Sequence, residues 1–376
     1  MAAMSYSPTE SPRQLIDQVR AAASARRSLR IIGGDTKAFY GQPVAGEPVS
    51  TSGWAGIVSH EPSELVVTVR AGTPLIELEA ALAEQGQCLP FEPPRFGPAS
   101  TIGGAVAAGL AGPARASAGG VRDYVLGVQF IDGRGEWLTF GGQVMKNVAG
   151  YDVSRVLAGS MGTLGIVTDI SLKVLPVAPA EATLVFSLGQ HDALEQLHRW
   201  GGQPLPLNAS CWVKDQTQPD APELLFLRLR GAVAAVESAC ERLAREAGGT
   251  RMDNAETGPD WAACRDQTLP FFNAPAPDLC LWRLSVPQTA PVISLPFAQL
   301  IEWHGAQRWL WAPASAATEI RSAAAAVNGH ATLFRAGVDG APGVPRFDRQ
   351  TAVIDTITQR LRAEFDPAGI FNPGRT

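Results

Sequence analysis

Glycine falls in this chain in tight clusters at the ends of strand and helix patterns, and most of those clusters lie in its first half. Gly33-Gly34-Asp35-Thr36 with Gly41 forms one and Thr101-Ile102-Gly103-Gly104 a second; Gly159-Ser160-Met161-Gly162-Thr163-Leu164-Gly165 forms a third. Glycine has no Cβ and tolerates φ > 0, so backbone can approach backbone or ligand closely at each cluster. Bare amides in such turns make anion-binding nests. The pattern therefore limits the fold to short elements joined by tight turns, and it points to a large polyanionic ligand. Single clusters have plainer readings: Gly103-Gly104 alone is also a tight turn, and Asp132-Gly133 is a hairpin turn.

At 376 residues the chain is long enough for two domains. A net charge of -5 without any run of Lys or Arg argues against nucleic acid and anionic membrane as partners. Five scattered cysteines without C-x-x-C spacing argue against an iron–sulfur or zinc site held by this chain, so no metal is expected. Residues 1–30 lack the apolar core of a signal peptide. The apolar run 102–112 is too short for a bilayer, which needs about 20 residues. A cytoplasmic protein without a transmembrane segment is expected, any association with the inner membrane coming through a complex.

The periodicities predict an α+β first half. Ser11, Pro12 and Gln14 read as a capping box before a helix carrying Leu15, Ile16 and Val19. Strands are expected over 28–32, 65–69 and 166–174, and a hairpin over 125–131 and 136–140. Thr73 is expected to cap a helix beginning at Pro74. After Pro176 tryptophans become frequent, and strands over 183–188, 209–213 and 223–229 with helices over 192–200 and 233–246 come in an order that resembles a split β-α-β unit. A last helix over 348–365 carries Val353, Ile357, Leu361 and Phe365 on one face. These readings divide the chain into 1–176, 177–347 and a C-terminal helix and tail, 348–376.

The segments Lys146-Asn147-Val148-Ala149-Gly150-Tyr151-Asp152, Gly159 to Pro176, and Phe371-Asn372-Pro373-Gly374-Arg375, in this order, resemble the FAD-binding family of vanillyl-alcohol oxidase and p-cresol methylhydroxylase. Within it they look like the smaller FAD-binding subunits of bacterial glycolate oxidase (glycolate dehydrogenase). The resemblance covers the first half and the tail well and the middle weakly. It implies a two-subdomain FAD domain of the vanillyl-alcohol oxidase type followed by a smaller antiparallel-sheet α+β cap, with FAD between them. By that resemblance Gly33, Gly34, Asp35, Thr36 and Gly41 fall at the pyrophosphate loop, which is degenerate at Ile31 and Ile32. Pro93, Thr101, Ile102, Gly103, Gly104, Gly109 and Gly112 fall at a second flavin-binding turn. Gly159, Gly162, Thr163, Gly165, Ile166 and Val167 fall along the adenosine end, and Asn372 and Arg375 on the tail returning to the ring. A cation such as Arg375 beside the flavin N1/O2 edge stabilises negative charge there. No G-x-G-x-x-G opens a helix after the first strand, so the arrangement is not of the Rossmann type.

Covalent attachment in the family uses His or a His/Cys pair, and His60 and Cys88 lie in no matching loop, so non-covalent FAD is expected. The His-rich segment of the larger catalytic relatives is reduced to Gly329-His330-Ala331 followed by Thr332-Leu333-Phe334-Arg335. His330, Arg335 and Arg283 are the catalytic candidates, each with an ordinary reading as a strand residue; the two arginines suit a substrate carboxylate. His191, His198 and His304 show no ligand spacing. The resemblance implies an FAD subunit oxidising glycolate, a 2-hydroxy acid, to glyoxylate beside a larger FAD subunit and an iron–sulfur subunit. Two other readings stay open: a degenerate flavin-binding scaffold, whose tryptophans 200–311 would lie exposed for a partner, and a stand-alone FAD oxidase of another alcohol.

Overall fold

A computed structural model describes residues 12–142, 153–217 and 220–376. The segment with Lys146, Tyr151 and Asp152, and Ser11 of the expected capping box, lie outside the described residues. The chain forms two compact units: residues 1–110, 120–177 and 349–376 make the first, and residues 111–119 and 178–348 the second.

Helix α1 (Arg13–Ala25) buries Leu15, Val19 and Ala22, which its 3.6-residue period places on one stripe; Pro12 stands at its N-cap rather than at N1. That stripe packs against Leu29 of β1 (Leu29–Ile32) and Val49 of β2 (Glu47–Ser50), two strands paired in parallel. Strands β3 (Ile57–Glu61) and β4 (Val66–Arg70) follow. Helix α2 (Leu75–Ala83) starts one residue later than expected, with Pro74 extended at its N-cap. Thr73 does not cap it. Its hydroxyl accepts from the Gly56 amide at 2.8 Å and donates to the Arg70 carbonyl at 2.7 Å, so it closes the preceding turn.

Strand β5 (Gln87–Cys88) and helix α3 (Ile102–Ala108) lead out of the first unit to α4 (Arg115–Ala118). The chain returns through the expected hairpin β6 (Val125–Ile131) and β7 (Trp137–Gly141), then α5 (Val153–Val156), β8 (Ile166–Lys173) and β9 (Leu175–Pro176). The main sheet has the order β3-β4-β8-β6-β7, every neighbour antiparallel. Period two in β8 sends Ile166, Ile170 and Leu172 to a fully buried face. The first unit therefore keeps its core on one side of β8.

The second unit is one eight-stranded antiparallel sheet. Strand β10 (Ala180–Ser187), helix α6 (Gln190–Gly201), strands β11 (Leu207–Lys214) and β12 (Glu223–Gly231), helix α7 (Val233–Ala247) and β13 (Thr250–Met252) pair in the order β13-β10-β12-β11, which is the split β-α-β arrangement. Helix α8 (Asn254–Asp266), β14 (Cys280–Ser285), β15 (Gln299–Glu302), β16 (Gln307–Ala312), α9 (Ala317–Ala325) and β17 (His330–Arg335) extend it as β15-β16-β14-β17. Leu184, Phe186, Leu225, Leu227 and Leu229 pack under α6 and α7 around Trp200. Trp282, Leu310 and Leu333 pack under α9.

The tryptophans are the principal correction here. Trp200, Trp212, Trp261, Trp282, Trp309 and Trp311 are buried and form the core of the second unit, and of the tryptophans expected to be exposed only Trp303 is half-buried. Helix α10 (Ala352–Phe365), in the first unit, differs in the other direction: it buries no residue, and Val353 and Ile357 are exposed. Among the described residues no helix is long and apolar enough to cross a membrane.

Candidate FAD cleft

The first unit holds a cleft of about 950 Å³, open to solvent. Its floor begins where β1 ends. Thr51 donates its amide to Ile32 and so finishes the parallel pair, after which the chain turns through residues 33–36. Among the described residues, the amides of Gly33, Gly34, Asp35 and Thr36 meet no protein acceptor. Buried or lining amides without partners are rare in a finished fold, and a run of them is an anion nest. A Cβ on Gly34 would sit 1.5 Å from the Ala99 carbonyl oxygen, so the loop lies as close to its neighbour as backbone permits.

Helix α3 supplies a second wall through Gly103, Gly104, Ala107 and Ala108. Its first amides are already used. Thr101 accepts from Gly104 at 3.2 Å, and Ile102 and Gly103 donate to the carbonyls of Thr73 and Ala71. This helix therefore contributes smooth surface, and the open donors belong to residues 33–36. Gly162, Gly165 and Val167 line the third wall; Gly162 has φ +69, a conformation that leaves glycine there without strain.

The C-terminal tail ties these walls together. The Asn372 side chain accepts from the Ile31 amide at 2.9 Å and donates to the Met161 carbonyl at 2.8 Å, bridging β1 to the Gly159–Gly165 loop. Arg375 donates to the carbonyls of Gln42 and Lys37, at 3.0 and 3.1 Å. Both residues line the cleft. The guanidinium is thus fastened to the loop that follows the open amides.

The cleft brings together Gly33, Gly34, Asp35, Thr36, Thr101, Gly103, Gly104, Gly162, Gly165, Val167, Asn372 and Arg375. The other expected positions do not line it. Ile102 and Ile166 are fully buried, because alternation sends Ile166 to the core when Val167 faces the cleft. Gly109 and Gly159 pack on each other, a Cβ on Gly109 reaching 2.8 Å from the Gly159 Cα. The Thr163 hydroxyl donates to Ser160, Gly41 backs onto the Arg375 carbonyl, and Pro93 is buried. Gly112 belongs to the second unit, where its carbonyl accepts from Trp303 Nε1 at 3.0 Å. Residues 30, 37, 160 and 161 also line the cleft, which the glycine pattern does not predict. Lys37 stands in no motif; its Nζ donates to Ser100 at 2.6 Å. Ser160 and Met161 are legible only as spacers between two glycines.

The candidates for chemistry lie in the second unit. The register sets Arg283 opposite Thr332 and His330 opposite Ser285, so all three candidates fall on β14 and the edge strand β17. Arg283 lies 5.5 Å from the Phe334 ring, and Arg335 donates to Gln267 at 3.1 Å. His330, at the exposed start of β17, is pushed below its usual pKa by partial burial of its ring and by Arg283. No second histidine joins it among the described residues. Elsewhere, His304 Nε2 lies 2.9 Å from Ser117 Oγ and its Nδ1 3.2 Å from Ser210 Oγ. Burial lowers this imidazole to about 4, so it is neutral at pH 7. His60 bonds to Gln87 and neither it nor Cys88 lines the cleft.

A family model described as FAD binding domain matches residues 8–141. The chain is 44% identical over 361 residues, 96% of both chains, to the glycolate oxidase subunit GlcE of Escherichia coli. It is 34% identical over 140 residues to the glycolate oxidase subunit GlcD of Bacillus subtilis, which covers 37% of this chain and 30% of that one. A solved structure of alkyldihydroxyacetonephosphate synthase superposes with a TM-score of 0.67 over 97% of this chain and 76% of the other, at 16% identity, which is a likeness of fold. The likeness to GlcE runs nearly end to end and so takes in both units and the tail, which settles the family: the chain belongs to the GlcE family of FAD-dependent oxidoreductase subunits.

Proposed function

We propose that this chain is the smaller FAD subunit of a complex that oxidises glycolate to glyoxylate, working beside a larger FAD subunit and an iron–sulfur subunit. The identity to GlcE across 96% of both chains carries this reading. FAD, when bound, supplies the hydride-accepting ring and passes electrons onward. The amides of residues 33–36 would hold the pyrophosphate, with Arg375 completing the charge balance. Gly162, Gly165 and Val167 would take the adenosine end, and the small residues of α3 would leave room for the ring. Asn372 would fix the spacing between β1 and the Gly159–Gly165 loop. The cofactor would be held without a covalent bond, a reading supported by the lack of His or Cys among the described cleft residues.

This chain's own chemistry is that of a relay, with substrate dehydrogenated in the larger subunit. Two observations support that. His330 stands alone at an exposed strand end, and the buried neutral His304 bonds to two serine hydroxyls of its own unit. Both imidazoles are held below their ordinary value, away from the near-neutral pKa that suits a general base. The complex would work in the cytoplasm, and any membrane attachment would come through its other subunits.

The test is anaerobic spectroscopy of the purified chain with glycolate and with D-lactate. A flavin released by acid precipitation is the expected cofactor result. A flavin that stays oxidised alone and bleaches once partner subunits are added is expected for the relay. Bleaching of the isolated chain by glycolate would make it the dehydrogenating subunit instead, and no flavin after reconstitution would leave a scaffold.

A further inference from the structure

Arg346 is an anomaly in the second unit. It is only 9% exposed, and its Nη1 is buried without a hydrogen-bond acceptor. Charged side chains are almost never buried this far unless paired. Its own backbone is held, since Leu333 donates its amide to the Arg346 carbonyl at 2.8 Å. The segment carrying it therefore runs along the outer edge of β17, and its position is fixed by the sheet.

A second orphan donor belongs to the same layer. Trp282 lies directly across from Leu333 on β14, is fully buried under α9, and its Nε1 has no partner. Arg321, on α9, lies 5.7 Å from the Trp282 ring centroid, donates to the Pro345 carbonyl, one residue before Arg346, and pairs its Nε with Asp348. The carboxylate at this place is Asp348, 3.6 Å from Arg321 and accepting from the Ala331 amide at 3.4 Å. Two guanidinium groups against one carboxylate leave one positive charge over. Cys280, buried on β14 two residues from Trp282, is the other acidic group near Arg346. Desolvation pulls Arg346 below the usual arginine value, as it must where the charge lacks a full partner.

We infer that Arg346 and Trp282 form a binding site for the carboxylate of a small organic acid, beneath the 337–347 loop of the second unit. A guanidinium fork matches a carboxylate with two parallel bonds, and an indole N–H adds a third donor. One negative charge neutralises the excess. The site lies in a different unit from the FAD cleft and does not depend on the proposed activity. Its natural occupant is either an inert cellular monocarboxylate or a 2-hydroxy or 2-oxo acid of the kind the enzyme handles. The second would make it an effector site.

The test uses the purified holoprotein in a buffer free of carboxylate, with thermal unfolding followed at constant ionic strength. Acetate, glycolate, phosphate and chloride are titrated separately. A saturable rise in Tm with acetate and glycolate, weaker with phosphate and chloride, is expected, and in Arg346→Met the carboxylate affinity falls at least tenfold. Glycolate binding tenfold tighter than acetate would identify the hydroxy-acid source, and equal affinities the unselective one. Should Arg346→Met not fold, Arg346→Lys keeps the charge and loses the fork, with 13C-labelled acetate line broadening as the readout. No carboxylate response in the wild type means the donors are met by water, and overturns the site. A carboxylate response that appears only in Cys280→Ser makes Cys280 the internal partner, and also overturns it.

Discussion

In the first unit the backbone around the cleft is packed so closely that Gly34 has no room for a Cβ, while in the second the same need for close packing is met by side chains as large as Trp200 and Trp282, both fully buried. One region brings main chain to main chain and leaves its amides open; the other brings rings to rings and leaves buried side-chain donors such as Trp282 Nε1 without partners. Their failure modes should separate accordingly. Damage to the first should appear as lost ligand, and damage to the second as lost stability.

Trp200→Ala tests the second half of that statement and carries the largest expected effect. Trp200 packs 5.1 Å from Phe186 in the layer under α6 and α7. Its removal should destabilise the protein by about 3–5 kcal/mol. Chemical denaturation measures the loss, and flavin content per folded molecule should stay constant. Trp200→Phe should recover most of the stability, because the smaller ring keeps most of the packing against Phe186. A fall in flavin content with either variant would break the separation.

Gly34→Ala tests the first half. With the new methyl 1.5 Å from the Ala99 oxygen, the loop must move and the open amides with it. FAD affinity should fall about 100-fold, equivalent to ~2.7 kcal/mol. The ratio of flavin to protein absorbance on purification reads it. Retained flavin would show that the 33–36 amides are not the pyrophosphate site.

The second unit also has a pH signature of its own. His304 has a folded value of about 4, below the 6.5 of a free imidazole, so protons bind preferentially to the unfolded chain. Its contribution is fully present above pH 6.5 and is lost as pH falls toward 4. At pH 5 the loss should be about 2 kcal/mol relative to pH 7.5. The difference between wild type and His304→Gln in unfolding free energy, measured across that range, isolates it. Parallel pH profiles would mean that His304 titrates normally.

How much of this could be read from residues alone differs between the units. The β6–β7 hairpin was legible because Asp132-Gly133 separates two alternating runs, and the split β-α-β order followed from strand and helix lengths. Strands β2 and β15 were not, being four residues long and without a clear alternation. The passage of residues 111–119 into the second unit depends on bonds such as Trp303 to Gly112, nearly 200 positions apart, which no local pattern encodes. In the cleft, the glycine loops and Asn372 announced themselves by composition and motif. Lys37 did not, since a lysine beside a serine 63 residues away has no sequence signature. Nor does a count of tryptophans distinguish a core from an interface.

The smallest effect sharpens the comparison most cleanly, because it makes the same substitution in the other unit. Gly201 closes α6, has an ordinary backbone conformation, and a Cβ there meets nothing within 4 Å. Alanine loses less conformational freedom on folding than glycine, so Gly201→Ala should stabilise by ~0.5 kcal/mol. A rise of about 1 °C in Tm, with unchanged flavin content, is the expected reading. Gly34→Ala and Gly201→Ala add the same methyl to the same chain and should differ in sign. That would show the cleft glycines are required by the approach of backbone to backbone, whereas the glycine of the second unit only ends a helix. A destabilised Gly201→Ala would mean that the second unit is also tightly fitted at its surface, and the contrast between the units would then rest on the ligand alone.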